Sequence, residues 1–302
     1  MSLFLKNEYL TIEFKNLGGE LASIKDRDGV EYLWQGDSKY WSGQAPVLFP
    51  ICGSLREDQT IYGKNGSNKI FGCMPRHGLV RKKNFVGEVV SENTIVFRIL
   101  SDETMFQSFP YKFELSVFYQ LVEKTLTITY EVKNLEKSYD LPFTIGAHPA
   151  FNCPLFPNEK YEDYSILFSD EESCTSAKVF PETGLVDLEN RQPFLKNENK
   201  LNLDYELFKD DTVLLDRLKS KSITLTSKNH SKEIKINLLD FPILVLWSTA
   251  NKSPFIALEP WLGVSTSKNE SDYFEEKYNT QFASPFQKGF EVKSYSYQIQ
   301  IK

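Results

Sequence analysis

Three short stretches of this chain place proton-transfer residue types in otherwise apolar or glycine-punctuated surroundings: PRHGLVR (75–81), GAHPAF (146–151) and LEPW (258–261). The chain has only three histidines, and two of them, His77 and His148, fall in these stretches. In FIALEPW a single carboxylate, Glu259, interrupts an apolar strand pattern. Burying a carboxylate costs several kcal/mol unless partners or a task justify it, about 2–7 kcal/mol even for an uncompensated neutral polar group. Burial also raises its pKa, which makes it a better base near neutrality. Trp261 offers a flat apolar face beside it. The alternative reading of Glu259 is a strand-end carboxylate that has reached solvent.

His148 stands before a proline, which favours extended backbone at the histidine, and after Gly146, which permits a tight turn. Aromatic neighbours on both sides lower an imidazole's pKa by desolvation and leave it poised to exchange a proton. A core histidine bonded to backbone carbonyls fits the same residues equally well. His77 lies between Pro75 and Gly78, with Arg76 and Arg81 nearby, and cationic neighbours also suppress imidazole protonation. The plain alternative is a loop histidine in a basic cluster. His230, in the polar turn Asn229-His230-Ser231, is expected to be solvent-exposed and idle. A fourth stretch, PICGSLRED (50–58), ends a strand-like run with Gly53, Ser54 and Arg56.

These residues need a scaffold, and the dominant pattern along the chain is period-two alternation. FELSVFYQL puts Phe113, Leu115, Val117 and Tyr119 on one face. After a polar turn at Glu123-Lys124, TLTITYEVKN does the same with Leu126, Ile128, Tyr130 and Val132, which predicts an antiparallel hairpin. A second hairpin joins SITLTSK to KEIKINLL. Further strands are expected at YLTIEFKN, TIVFRIL, ILVLWST, FIALEPW and YSYQIQIK. Only Asn269 to Phe282 resembles a helix, weakly, because its apolar positions do not hold an i, i+3, i+4 rhythm. Many strands with almost no helix predict an all-β fold, a large antiparallel sandwich. No linker or internal repeat divides residues 1–302, so one domain is expected.

Composition narrows the function classes. Hydrophobic residues make up 41% and charged residues 25% of the 302 residues, as expected of a folded soluble protein. The net charge of −6 argues against nucleic acid or an anionic membrane as principal partner. No apolar run approaches the roughly eighteen residues of a membrane span, and the N-terminus lacks a secretory apolar segment. A cytoplasmic location is therefore expected, where the triplet Asn65-Gly66-Ser67 carries no glycosylation meaning. Cys52, Cys73, Cys153 and Cys174 are widely spaced without a C-x-x-C pair, and are expected to be free, buried thiols.

HGLVR, AHPAF and LEPW, in this order across nearly the whole chain, resemble the aldose 1-epimerase (galactose mutarotase) family, and within it a bacterial branch also similar to the glucose-6-phosphate 1-epimerases. The resemblance implies a galactose mutarotase-like supersandwich that interconverts sugar anomers with no cofactor or metal. It implies Glu259 as base, His148 as acid, His77 and Arg56 as supports for the sugar, and Asp211 as a ligand of its hydroxyls. Trp261 and Arg76 are further candidates for substrate contact. Its small-molecule partner would be an aldohexose or its phosphate, since Arg76, Arg81, Lys82 and Lys83 could form a local basic patch. Three rival readings are a hexose-6-phosphate 1-epimerase, a metallohydrolase using His77, His148 and Glu259 as ligands, and a non-catalytic sugar-binding protein. A homodimer stays open.

Overall fold

The computed structural model describes residues 3–64, 68–285 and 291–302; the Asn65-Gly66-Ser67 triplet lies outside them. Alternation decides the architecture. The hairpin Phe113–Val122 and Thr125–Asn134 pairs Leu115 with Val132, Val117 with Tyr130 and Tyr119 with Ile128. All six side chains are buried, each contributing about 1.5–3 kcal/mol by leaving water. The second hairpin forms as Ser222–Ser227 and Ile234–Asn237.

These strands belong to one fifteen-stranded sheet. It runs from Val86–Ser91 through the first hairpin, the C-terminal strand Val292–Ile301 and the second hairpin to the long strand Tyr164–Phe180, then through Thr212–Leu215, Ile243–Trp247 and Phe255–Trp261. Tyr164–Phe180 carries the turn of the sheet. Its first residues pair with Ser222–Ser227, while Ala177 pairs with Leu214. Register shifts between Leu167 and Glu172 mark bulges along the same strand, and bulges bend and twist a strand. The far limb therefore folds back, and both limbs contribute to one core that includes Leu115, Ile128, Leu244, Ile256 and Leu258. This is the sandwich that alternation predicts.

The three strands Thr212–Leu215, Ile243–Trp247 and Phe255–Trp261 are buried on both faces. Val213, Leu215, Leu244, Leu246, Ile256 and Leu258 point into the core. The alternate residues, including Leu214, Val245, Trp247, Glu259 and Trp261, line a cavity on the opposite face.

One expected element is absent and two observed elements were not expected. Asn269 to Phe282 is no helix: it contains a single short 3-10 turn, Phe274–Glu276, in a polar run whose few apolar residues cannot build a buried stripe. The long hairpin Tyr164–Phe180 and Leu185–Asn202 escapes pattern reading because its bulges interrupt the alternation. A four-residue helix, Glu103–Phe106, is also missed; its Asp102 cap accepts from the Met105 N–H at 3.0 Å. Among the described residues no helix is long and apolar enough to cross a membrane. Cys52, Cys153 and Cys174 are buried and free, whereas Cys73 is exposed.

Candidate active site

The cavity holds about 270 Å³, and the rare residues of the sequence collect in it. Trp41, Trp247 and Trp261 line it. Trp34 supports Trp41 by donating its indole N–H to the Trp41 carbonyl at 2.8 Å. All four tryptophans of the chain thus build this site.

Glu259 projects from the floor and is 1% exposed. Its Oε2 lies 3.4 Å from His148 Nε2 and accepts from the Trp261 indole N–H at 3.2 Å. Burial pushes its carboxyl well above the ordinary range, with the Trp261 bond and Arg76 acting in the opposite sense and Asp211 adding to the rise. His148 is 7% exposed. Its backbone N–H donates to the Pro46 carbonyl, and Trp41 stacks on its ring at 4.8 Å between centroids. The Nδ1 atom is buried without a hydrogen-bond partner. Burial drops the imidazole to about 3, the residue's own carbonyl works the other way, and Arg81 and Arg76 add to the drop.

His77 approaches from a separate loop, its ring 5.5 Å from that of His148 and 5.6 Å from Trp261. It has a left-handed backbone, φ 68°, uncommon for a residue with a side chain. Gly53 holds it there: the His77 N–H donates to the Gly53 carbonyl at 2.8 Å, and the Gly53 N–H donates to His77 Nδ1 at 3.1 Å. With Nδ1 serving as acceptor, a neutral His77 carries its proton on Nε2. Burial, then His148, Arg81 and Arg76, push it well below the usual imidazole range, so it offers a neutral N–H. Gly78 must be glycine, because a Cβ would lie 2.2 Å from the Phe49 carbonyl oxygen.

Asp211 lines the cavity. It takes the Trp247 indole N–H at 3.0 Å on Oδ1, and Arg76 Nη2 stands 3.9 Å from its Oδ2. Arg76 is at the mouth and donates from Nε to the Ser54 hydroxyl at 2.8 Å.

Arg56 is the exception. The chain leaves Ser54 through a tight turn, with Glu57 and Asp58 left-handed, which carries Arg56 away from the cavity. Its guanidinium pairs with Asp272 and donates to the carbonyls of Ser267, Lys268 and Glu270. It clamps that segment and does not line the cavity. The arginines that do are Arg76 and Arg81; Lys83 instead pairs with Asp102 at 3.3 Å and Lys82 is exposed. Phe151 is fully buried packing. His230 is neither exposed nor unpartnered: its Nε2 lies 3.1 Å from the Tyr164 hydroxyl and 3.4 Å from Glu159 Oε2.

Sequence reading passed over Trp41 and Trp247. Alternation in ILVLWST does place Trp247 on the face of Val245, but nothing local says that this face borders a cavity. Among the described residues no group of three or more His, Cys, Asp and Glu side chains is arranged to hold a metal.

Comparison with known proteins agrees with the motifs. The family model described as aldose 1-epimerase matches residues 1–271. The LacX protein of Lactococcus lactis subsp. lactis, in chromosomal and plasmid forms, is 55% identical over 277 residues, covering 92% of this chain and 93% of the relative. A galactose mutarotase-like protein from Lactobacillus casei superposes with a TM-score of 0.87 at 26% identity, covering all of both chains. A galactose mutarotase-related enzyme from Lactobacillus acidophilus does so with a TM-score of 0.89 at 25% identity, covering 100% of this chain and 97% of that one. A match over most of the length, joined to a sandwich of the same shape, places the chain in the aldose 1-epimerase family.

Proposed function

We propose that this protein interconverts the α and β anomers of an aldose, with Glu259 and His148 as the acid–base pair. The observation that carries the reading is the 3.4 Å separation of Glu259 Oε2 and His148 Nε2 on the floor of a tryptophan-lined cavity. Anomerisation moves protons at two oxygens, O1 and O5, that are both bonded to C1. An acid and a base that serve them must therefore stand side by side.

Burial opposes charge on both groups, so the empty pair carries one proton, resting on the carboxyl. Transfer of that proton to His148 Nε2 creates the working form, a carboxylate beside an imidazolium. Glu259 then takes the proton of the O1 hydroxyl while His148 gives its proton to O5. The C1–O5 bond breaks, leaving a C1 aldehyde and a C5 hydroxyl. Rotation about C1–C2 presents the other carbonyl face, and the same transfers in reverse close the ring. His77, with its Nε2–H, and Asp211 would orient the sugar oxygens, and Trp261 offers its ring to the apolar face of the pyranose.

NMR exchange between anomers tests this. Glu259→Gln should lower turnover by ~10²–10⁴-fold, the usual contribution of a positioned acid or base, while sugar binding survives. Normal turnover in Glu259→Gln would refute the assignment. Binding without turnover above the buffer rate in the unaltered protein would make this a sugar-binding member of the family.

A further inference from the structure

We infer that Trp41 is a positioning residue for the proposed reaction: its indole face holds the His148 ring beside Glu259 and stabilises the protonated imidazole that serves the sugar. The inference rests on the reading of His148 as the acid and adds to it the group that makes that acid possible.

A protonated imidazole donates from both ring nitrogens. His148 Nε2 has Glu259 at 3.4 Å, but Nδ1 is buried without a hydrogen-bond partner. A proton there is a buried donor left unpaired, which is a costly state. Working imidazoles are commonly fixed by a hydrogen bond at the nitrogen that does no chemistry. Here an aromatic face takes that place. Trp41 stacks on His148 with centroids 4.8 Å apart and planes 27° from parallel. That is within the roughly 6 Å over which a ring face attracts a cation, and indole is the strongest such face. The surrounding charges pull in different directions. Glu259 as a carboxylate favours the imidazolium, as does the residue's own carbonyl, whereas Arg81 and Arg76 oppose it. His77 stands 5.5 Å away ring to ring, and Asp211 is held off by Trp247, whose ring lies 5.3 Å from His148 and nearly perpendicular to it.

The irregular stretch 35–46 is built around this one indole. The Trp41 N–H donates to the Asp37 carbonyl at 2.9 Å, and the Trp41 carbonyl takes the Trp34 indole N–H at 2.8 Å. The Asn251 side chain donates to the Lys39 carbonyl at 3.2 Å. Gly36 turns the stretch with φ 75°, where a Cβ would lie 2.9 Å from the Ser42 carbonyl oxygen, and a Cβ on Gly43 would run into the Trp41 ring itself. Phe255 and Trp247 complete the bracket, 5.7 and 5.4 Å from the indole. A face committed to His148 is not free to carry a pyranose. The contact strengthens only when the shared proton moves from Glu259 to His148, so it favours the working form over the resting one and acts on kcat rather than on binding.

The test measures anomerisation by NMR exchange over a range of sugar concentrations in Trp41→Leu and Trp41→Phe. The substrate is whichever of glucose, galactose and glucose 6-phosphate the unaltered protein turns over. Leucine fills much of the space without a π face and should lower kcat by about 10- to 30-fold, the worth of a desolvated cation–π contact. Phenylalanine restores a face and should recover most of that loss, with KM within about twofold in both variants. A raised KM with kcat intact makes Trp41 a platform for the sugar, and equal losses in the two variants make it plain packing; either result overturns the inference. A second measurement keeps size nearly constant. Fluorinated tryptophans installed at position 41 by codon suppression drain the π face, and kcat should fall stepwise with each added fluorine. A flat series overturns the inference even where Trp41→Leu fails to fold. Normal turnover in Glu259→Gln or His148→Asn removes the acid–base reading and this inference with it, whereas a flat fluorine series beside an inactive Glu259→Gln removes only the role of Trp41.

Discussion

Two histidine–glutamate pairs in this molecule have the same separation, 3.4 Å from Nε2 to Oε2: His148 with Glu259 in the cavity, and His230 with Glu159 where the 152–163 loop meets the second hairpin. Both are largely shielded from water, with side-chain exposures of 9% and 1% for the first and 14% and 7% for the second. Their chemistry nonetheless points in opposite directions. Burial pushes Glu159 up as it does Glu259, but the Tyr164 hydroxyl, His230 and the Ser227 hydroxyl more than offset it, and the carboxyl ends below its ordinary range. His230 Nδ1 accepts the Lys232 N–H at 3.1 Å. His148 Nδ1 has no such partner, and Glu259 takes its one side-chain hydrogen bond from Trp261. A satisfied pair is a rivet, since hydrogen bonds to the charged form hold the proton off. An under-satisfied pair keeps a mobile proton.

The largest expected difference lies in turnover. His148→Asn should lower anomerisation by ~10²–10⁴-fold, and His230→Asn should stay within about twofold, as read by the same NMR exchange assay. Comparable losses in both would mean that the second pair is not merely structural. A smaller effect concerns stability. Glu159→Gln should cost about 1–3 kcal/mol near pH 7 by urea unfolding, because it removes the charged acceptor of Tyr164. Glu159 has a depressed folded pKa, so its contribution is present above the unfolded value near 4.5 and is lost as the pH falls through the folded one. The penalty should therefore fade on acidification. The smallest effect has the opposite sign. Glu259 has a raised folded pKa, so it weakens the fold increasingly as the pH rises from about 4.5 toward the folded value. Glu259→Gln should stabilise the protein by on the order of 1 kcal/mol at pH 8, and by less at pH 5, measured as a shift in thermal midpoint. Destabilisation at pH 8 would remove the contrast between the pairs.

Much of this was legible before any coordinates. The two hairpins around Glu123 and Asn229 follow from alternation, because a strand with one face in the core must place an apolar residue at every second position. Glu259 announced itself as the lone carboxylate in FIALEPW, and the scarcity of histidine directed attention to His77 and His148. The long hairpin at 164–202 was hidden by its bulges, and the helical reading of 269–282 came from composition without a stripe to support it. Arg56 shows the limit at the level of one residue. Ser54 and Arg56 are two positions apart, yet Ser54 supports Arg76 at the cavity mouth while Arg56 is turned outward to Asp272.

The amino-acid sequence alone determined the regularly alternating strands, the faces they would bury and which residues were chemically out of place, because all three depend on neighbours a few positions away. Only the folding back of the sheet decided that residues 41, 77, 148, 211 and 259 would share one cavity, that Arg81 would enter it while Arg56 would not, and that one His–Glu pair would be satisfied and the other left short. Those outcomes depend on which atoms from distant parts of the chain arrive within about 3 Å of one another, the range over which a hydrogen bond forms or fails.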